Sequence, residues 1–114
     1  MKAIVFNFKN TNSAGDYLSS VVNDEELMIV QARWSATELL AVMGICLFNI
    51  LINDKKVFTH NVEFSNFFDA PLYNQFLKLY PIKVVQGDKI SVALNIKTAI
   101  VPVETAFQVI LIGI

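Results

Sequence analysis

A turn and an alternating strand are encoded by residues 86–97, QGDKISVALNIK. The first four residues combine polar side chains with a glycine, which is typical of a turn. Apolar side chains then recur at every second position and share one face: Ile90, Val92, Leu94 and Ile96. This period of two predicts a half-buried strand with one side against a hydrophobic core.

The last strand, predicted over residues 105–114, is apolar on both sides. Its two rows are Phe107, Val109 and Leu111 on one side and Ile110, Ile112 and Ile114 on the other. A strand of this kind needs cover on both faces. A partner sheet in a two-layer sandwich covers only one of them. We therefore expect another copy of the chain to cover the strand, with all six side chains as candidate interface residues.

Further strands are predicted at residues 2–8, 17–22, 27–34 and 76–85. Alternation predicts the first and third, the second is a weak candidate, and the fourth is predicted from its apolar character. In the third of these we expect one face to hold Met28, Val30, Ala32 and Trp34. Pro81 interrupts the fourth strand. Because proline cannot donate to a sheet ladder, it predicts an edge strand or a bend.

A hairpin is predicted from residues 44–52 and 57–64, joined by a polar turn at 53–56. The sequence just before it supports two interpretations. Residues 35–38 fit a capping box, which predicts one short helix near 36–43. A continuing strand with a bend at Gly44 is the other interpretation, and we favour it because the neighbouring segments are strands.

About eight short strands in one chain of 114 residues predict a single all-β domain over residues 1–114. The expected architecture is a β-sandwich. Long connections between the strand arms favour jelly-roll or Greek-key wiring over a simple meander.

Composition adds an expectation about assembly. The chain is 54% hydrophobic and 17% charged, whereas ordinary domains average about 45–50% and 25%. A small core cannot take in all of this apolar surface, and large exposed apolar patches mark interfaces. We therefore expect a homo-oligomer.

Several kinds of chemistry lack the residues they need. One His and one Cys cannot build a zinc site, and we predict no metal and no cofactor. His60 alternates with Phe58 and Val62, which favours a half-buried structural histidine over a catalytic base. We predict no catalytic residue and no enzyme activity. The net charge of −1 and the scattered lysines argue against nucleic-acid binding.

One apolar run, residues 39–52, LLAVMGICLFNILI, requires a membrane test. A spanning helix needs about 17–25 apolar residues, and polar residues flank this run on both sides. Buried strand segments are the favoured interpretation, and membrane association is the minor one. The start of the chain shows no secretory signal pattern, so a cytoplasmic location is expected.

A loop rich in aromatic side chains is predicted around Asp69, and it contains Phe67, Phe68 and Tyr73. Such rings stack on sugars or anchor a protein partner. The competing interpretation is that these rings, with Trp34, fill the end of the core or a subunit interface. The loop is therefore a candidate ligand or partner site.

The end of the chain resembles a known kind of protein. Residues 84–92, VVQGDKISV, and 106–113, AFQVILIG, are similar to the last third of small single jelly-roll or β-sandwich proteins of bacteriophage and other virus particles. The resemblance implies a structural virion protein, as a coat (capsid), decoration or spike-base component. It would act through homo-oligomeric assembly, with other virion proteins as further partners. The alternative function is a carbohydrate- or ligand-binding module that uses the loop aromatics.

Overall fold

The computed structural model describes residues 1–9, 15–36, 45–61, 74–96 and 106–114. Eight strands lie in these ranges: β1 (Lys2–Lys9), β2 (Gly15–Val22), β3 (Leu27–Ala36), β4 (Ile45–Ile52), β5 (Lys55–Asn61), β6 (Asn74–Val84), β7 (Lys89–Ile96) and β8 (Ala106–Gly113). The alternative helix near 36–43 lies outside the described residues, apart from Ala36 at the end of β3.

The strands form two antiparallel sheets of four. Their orders are β1-β8-β3-β6 and β2-β7-β4-β5. Successive strands change sheet at every connection except the β4–β5 hairpin, and this wiring is that of a jelly roll. The prediction of an all-β sandwich is confirmed, and of the two wirings left open the structure has the jelly roll.

The hydrophobic core lies between the inward faces of the two sheets. Trp34 stacks on Phe107 within the first sheet, with ring centroids 5.6 Å apart. Phe48 of the second sheet approaches Phe107 at 6.5 Å, so these aromatic rings connect the two layers. The strand predicted from residues 90–96 places all four of its apolar side chains in this core. The predicted core face is confirmed. On the other face Ser91 is also buried, and Ala93 and Asn95 are half-buried.

The inward row of β8 ends at a glycine for a steric reason. Phe107, Val109 and Leu111 are fully buried, and Gly113 continues their side of the strand. A Cβ atom on Gly113 would lie 2.5 Å from Cδ1 of Leu27. Because Leu27 itself is buried, a side chain at this position requires Leu27 to shift.

The prediction for the two faces of β3 is wrong over its first half. The buried residues of this strand are Leu27, Ile29, Ala32 and Trp34. Pairing with β8 shifts register between Ile29 and Gln31, so one extra residue, Val30, enters the strand. A β-bulge of this kind reverses the facing of every residue that follows it.

The β4–β5 turn is shorter than the predicted 53–56. Asn53 and Asp54 both have positive φ, 51° and 68°, as in the two-residue turns that match the twist of a hairpin. Lys55 and Lys56 already belong to β5. The prediction from Pro81 is confirmed, since β6 lies at the edge of its sheet.

Side-chain hydrogen bonds connect this turn to the β6–β7 turn. The Asp88 carboxylate accepts from the backbone N–H of Val85 and from the amide of Asn53, each at 2.9 Å. The side-chain oxygen Oδ1 of Asn53 accepts from the backbone N–H of Lys89 at 2.8 Å. These two hydrogen bonds to the carboxylate hold the pKa of Asp88 below its usual value, and the bond from Val85 has the larger effect. The turn end of the sandwich is therefore fixed by polar groups.

Candidate subunit interface

The two rows of β8 occupy different environments. Phe107, Val109 and Leu111 lie in the core between the sheets. Ile110 and Ile112 lie on the outward side and are half-buried, and Ile114 is exposed. A fully buried side chain offers no surface to a second molecule. The predicted interface therefore narrows to the row of Ile110, Ile112 and Ile114.

Neighbouring strands extend the outward row into a surface. β8 lies between β1 and β3, and its register places Val5 opposite Ile110 and Ala3 opposite Ile112. Val5 keeps 48% of its surface exposed. We call these four residues, Ala3, Val5, Ile110 and Ile112, the aliphatic face.

Polar side chains surround the aliphatic face. Gln31 and Arg33 of β3 lie opposite Ile112 and Ile110. Toward one end of β8, the amide of Gln108 donates to the side-chain oxygen of Asn7 at 2.9 Å. An apolar centre with a polar border is the usual anatomy of a protein–protein contact, and arginine is enriched there.

The outward face of the other sheet is organised by cross-strand pairs. Asn95 donates to Asp16 at 2.7 Å, and Thr59 donates to Asn49 at 2.5 Å. The hydroxyls of Ser20 and Ser91 lie 2.8 Å apart. These polar groups satisfy one another across the strands, although half-buried leucines lie between them. Exposed aliphatic side chains also lie on this face, Leu18 at 66% and Val22 at 67%. Polar pairs interrupt its aliphatic surface, whereas the four residues of the aliphatic face adjoin one another.

Of the remaining candidate residues, the structure describes Trp34 and His60. Trp34 is fully buried. It therefore fills the core, as the interpretation that competes with a ligand site predicted. His60 is half-buried with its ring 5.5 Å from that of Phe48, as expected for a structural histidine. The predicted loop site, Phe67, Phe68 and Tyr73, lies outside the described residues.

Some exposed apolar residues were missed by the sequence analysis. Tyr80 is 95% exposed, and Leu18 and Val22 are 66% and 67% exposed. Tyr80 directly precedes Pro81, so the edge signal of that proline could have identified it. Leu18 and Val22 lie in β2, whose alternation is too weak to separate inward from outward positions.

The described ranges contain neither a metal-ligand cluster nor a membrane-spanning helix. No three His, Cys, Asp or Glu side chains in these ranges come together as metal ligands. No helix within them has both the length and the apolar character that crossing a membrane requires.

Comparison with solved structures finds the same kind of fold at low sequence identity. A crystal structure of the GH26-CBM35 β-(1,4)-mannanase of Podospora anserina matches with a TM-score of 0.53 and 9% identity, over 98% of this chain and 28% of that one. The PBCV-1 virus capsid matches with a TM-score of 0.47 and 6% identity, over 96% and 41%. A family 35 carbohydrate-binding module from an environmental isolate has a TM-score of 0.42 and 17% identity, over 86% and 67%.

The mannanase match, at a TM-score of 0.53 and 9% identity, shows a likeness of fold alone. This chain spans less than half the length of the mannanase and capsid chains that it matches. No protein-family model matches the sequence, and no curated protein matches it.

Proposed function

We propose that this chain is a non-enzymatic structural protein of a virus or phage particle, as a coat, decoration or spike-base component that acts through homo-oligomeric assembly. The observation that carries the proposal is the aliphatic face on the outward side of the β1-β8-β3-β6 sheet. The jelly roll supports it, because viral capsid proteins use this architecture.

Covering water-exposed aliphatic surface with a second molecule lowers the free energy. Burial yields about 25 cal/mol per Å² of apolar surface, and a stable contact buries about 1,600 Å² in total. Much of this gain offsets the entropy lost on association. The aliphatic face supplies the apolar centre of such a contact, and Ile114 at the end of β8 extends it.

Light scattering at micromolar concentration tests assembly. The proposal predicts a mass that rises with protein concentration and exceeds that of one chain. A single-chain mass throughout the micromolar range would contradict the proposal.

Membership of a particle is tested separately by the genes beside the one that encodes this chain. The proposal predicts neighbours that encode capsid or tail proteins. Neighbours that encode polysaccharide-degrading enzymes would contradict it and favour the second candidate function.

That second candidate is a carbohydrate- or ligand-binding module that uses Phe67, Phe68 and Tyr73. Two observations favour it: lectin domains also use the jelly roll, and the fold matches the Podospora mannanase at a TM-score of 0.53. β-(1,4)-Mannan is therefore the first glycan to test.

A double variant, Phe67→Ala with Phe68→Ala, separates the two functions. Loss of glycan binding by a folded protein whose mass is unchanged would establish the binding module. Loss of assembly, with no glycan binding by the wild type, would support the structural role.

A further inference from the structure

The edges of the two sheets differ in how they are protected. In the described part of the chain the edge strands are β1 and β6 in one sheet and β2 and β5 in the other. An unprotected edge is a template for another strand. Natural proteins block such edges with lysines, prolines and bulges.

Three of these edge strands carry such protection. β6 contains Pro81, Lys78 and Lys83, and its pairing with β3 is irregular. β5 begins with Lys55 and Lys56, and its pairing with β4 shifts register beside them. β1 has a lysine at each end.

β2 is the exception. It contains no lysine and no proline, and its eight residues pair with β7 without a register shift. Its most exposed aliphatic side chains are Leu18 and Val22. The only charged side chain of the strand, Asp16, is hydrogen-bonded to Asn95. This edge is therefore regular, apolar and nearly uncharged.

We propose that β2 is the edge at which a second copy of this chain adds to the sheet, by antiparallel β2–β2 pairing about a two-fold axis at Ser20. This goes beyond the proposed function, because it names a second contact surface with its own geometry.

The sequence of β2 is self-complementary in this register. Leu18 of each copy lies opposite Val22 of the other, and Ser20 lies opposite itself. Opposing residues of an antiparallel pair lie on the same face, with side chains close enough to interact. At the strand ends Asp16 approaches Asp24 of the other copy, a carboxylate that is already ion-paired with Lys2. Centring the pairing on Ser19 instead would put Asp16 opposite Val22 and Leu18 opposite Ser20. Each aliphatic side chain would then lie opposite a polar one.

The second surface also explains how assembly can continue. A two-fold contact uses the same patch on both copies and closes at a dimer. The aliphatic face lies on the sheet that does not contain β2. A subunit with both contacts can join more than one neighbour, as a particle component must.

Disulfide trapping tests the register directly. Directly opposed residues of an antiparallel pair have Cα atoms about 4.5–5.5 Å apart, within the range of a disulfide. Ser20→Cys is therefore expected to give a covalent dimer under mild oxidation. Leu18→Cys is the matched control, because its two copies lie about 13 Å apart along the strands. Wild type, with Cys46, gives the background.

Charge substitution tests the same edge in solution. Leu18→Lys with Val22→Lys is expected to raise the dimer dissociation constant at least about tenfold, whereas Leu18→Lys with Val22→Glu restores it by pairing opposite charges. Val57→Lys on the protected β5 edge is the control and leaves the constant unchanged.

The outcomes separate this proposal from the proposed function. Failure of Ser20→Cys to cross-link above background would overturn β2 pairing, even if substitutions on the aliphatic face still abolish assembly. Cross-linking of Leu18→Cys as efficient as that of Ser20→Cys would overturn the register. If Ser20→Cys cross-linked to a different protein and not to itself, the partner at β2 would not be a second copy of this chain.

Discussion

The two sides of β8 are almost equally apolar, yet the structure places them in different surroundings. Phe107, Val109 and Leu111 have almost no accessible surface and form part of the core. Ile110 and Ile112, one residue away in each case, lie on the outside of the sheet and are partly exposed. The same strand therefore serves the fold with one row and, in our proposal, assembly with the other.

Hydrophobic residues on the two sides of β8 have different roles, although the amino-acid composition counts them alike. An inward side chain stabilises the single chain, because its removal leaves a cavity. An outward one adds little to the single chain and contributes when a second molecule covers it. Substitutions on the two sides should therefore change different measurements.

The largest effect is expected in the inward row. Phe107→Ala removes a ring that packs against both Trp34 and Phe48, and it should lower the free energy of unfolding by about 3–5 kcal/mol. Ile112→Ala on the outward side is the matched control, with a loss of less than half that size. Equal losses in chemical denaturation, measured at a concentration where the protein is dissociated, would contradict the division of roles.

A smaller loss is expected where the inward row ends. Gly113→Ala places a methyl group against Leu27, and overpacking of this kind costs about 1–3 kcal/mol. Adding Leu27→Ala makes room, so the double variant should lose less than the sum of the two single losses. Strict additivity in a double-mutant cycle would show that the two residues do not compete for space.

Substitution of the outward row should change assembly and leave the fold intact. Val5→Lys with Ile112→Lys puts two charges into the aliphatic face and should weaken association at least about tenfold, or about 1.4 kcal/mol. Val85→Lys is the control, because Val85 is 41% exposed, close to the 48% of Val5. Equal association of both variants by sedimentation velocity would place the contact elsewhere.

The smallest effect is a pH dependence at the turn end, away from both rows. The pKa of Asp88 is lowered by hydrogen bonds from Val85 and Asn53. Its stabilising contribution is therefore complete above the ordinary aspartate value of 3.8 and is lost as the pH falls toward the lower folded-state value. Asp88→Asn should flatten stability measured through this acid range. A variant with the same acid dependence as wild type would show that other carboxylates are responsible.

Much of the fold could be predicted from period-two alternation. The inward face of β7 and the sandwich follow from residues that alternate without interruption. The edge position of β6 follows from Pro81, which cannot donate to a sheet ladder. The faces of β3 could not be predicted in full, because the extra residue at Val30 carries no sequence signal and reverses the pattern. Lys55 and Lys56 looked like turn residues, since a protected edge strand uses the same polar side chains.

The candidate interface was predictable only in part. The sequence shows that both rows of β8 are apolar, but which row faces inward depends on the sheet that packs against it. Val5 joins Ile110 through a pairing between residues far apart in the chain, and no local pattern predicts that pairing. The exposed edge of β2 was hidden for a similar reason, because edge position is a property of sheet order.

Methyl NMR with a soluble paramagnetic probe can show which surface assembly covers. We expect the relaxation enhancement at the Ile110 and Ile112 methyl groups to fall as the protein concentration rises, while that at Val85 stays constant. Enhancement at Ile110 and Ile112 that remains at its dilute value while the mass increases would show that the aliphatic face stays in water, and it would contradict the proposed assembly surface.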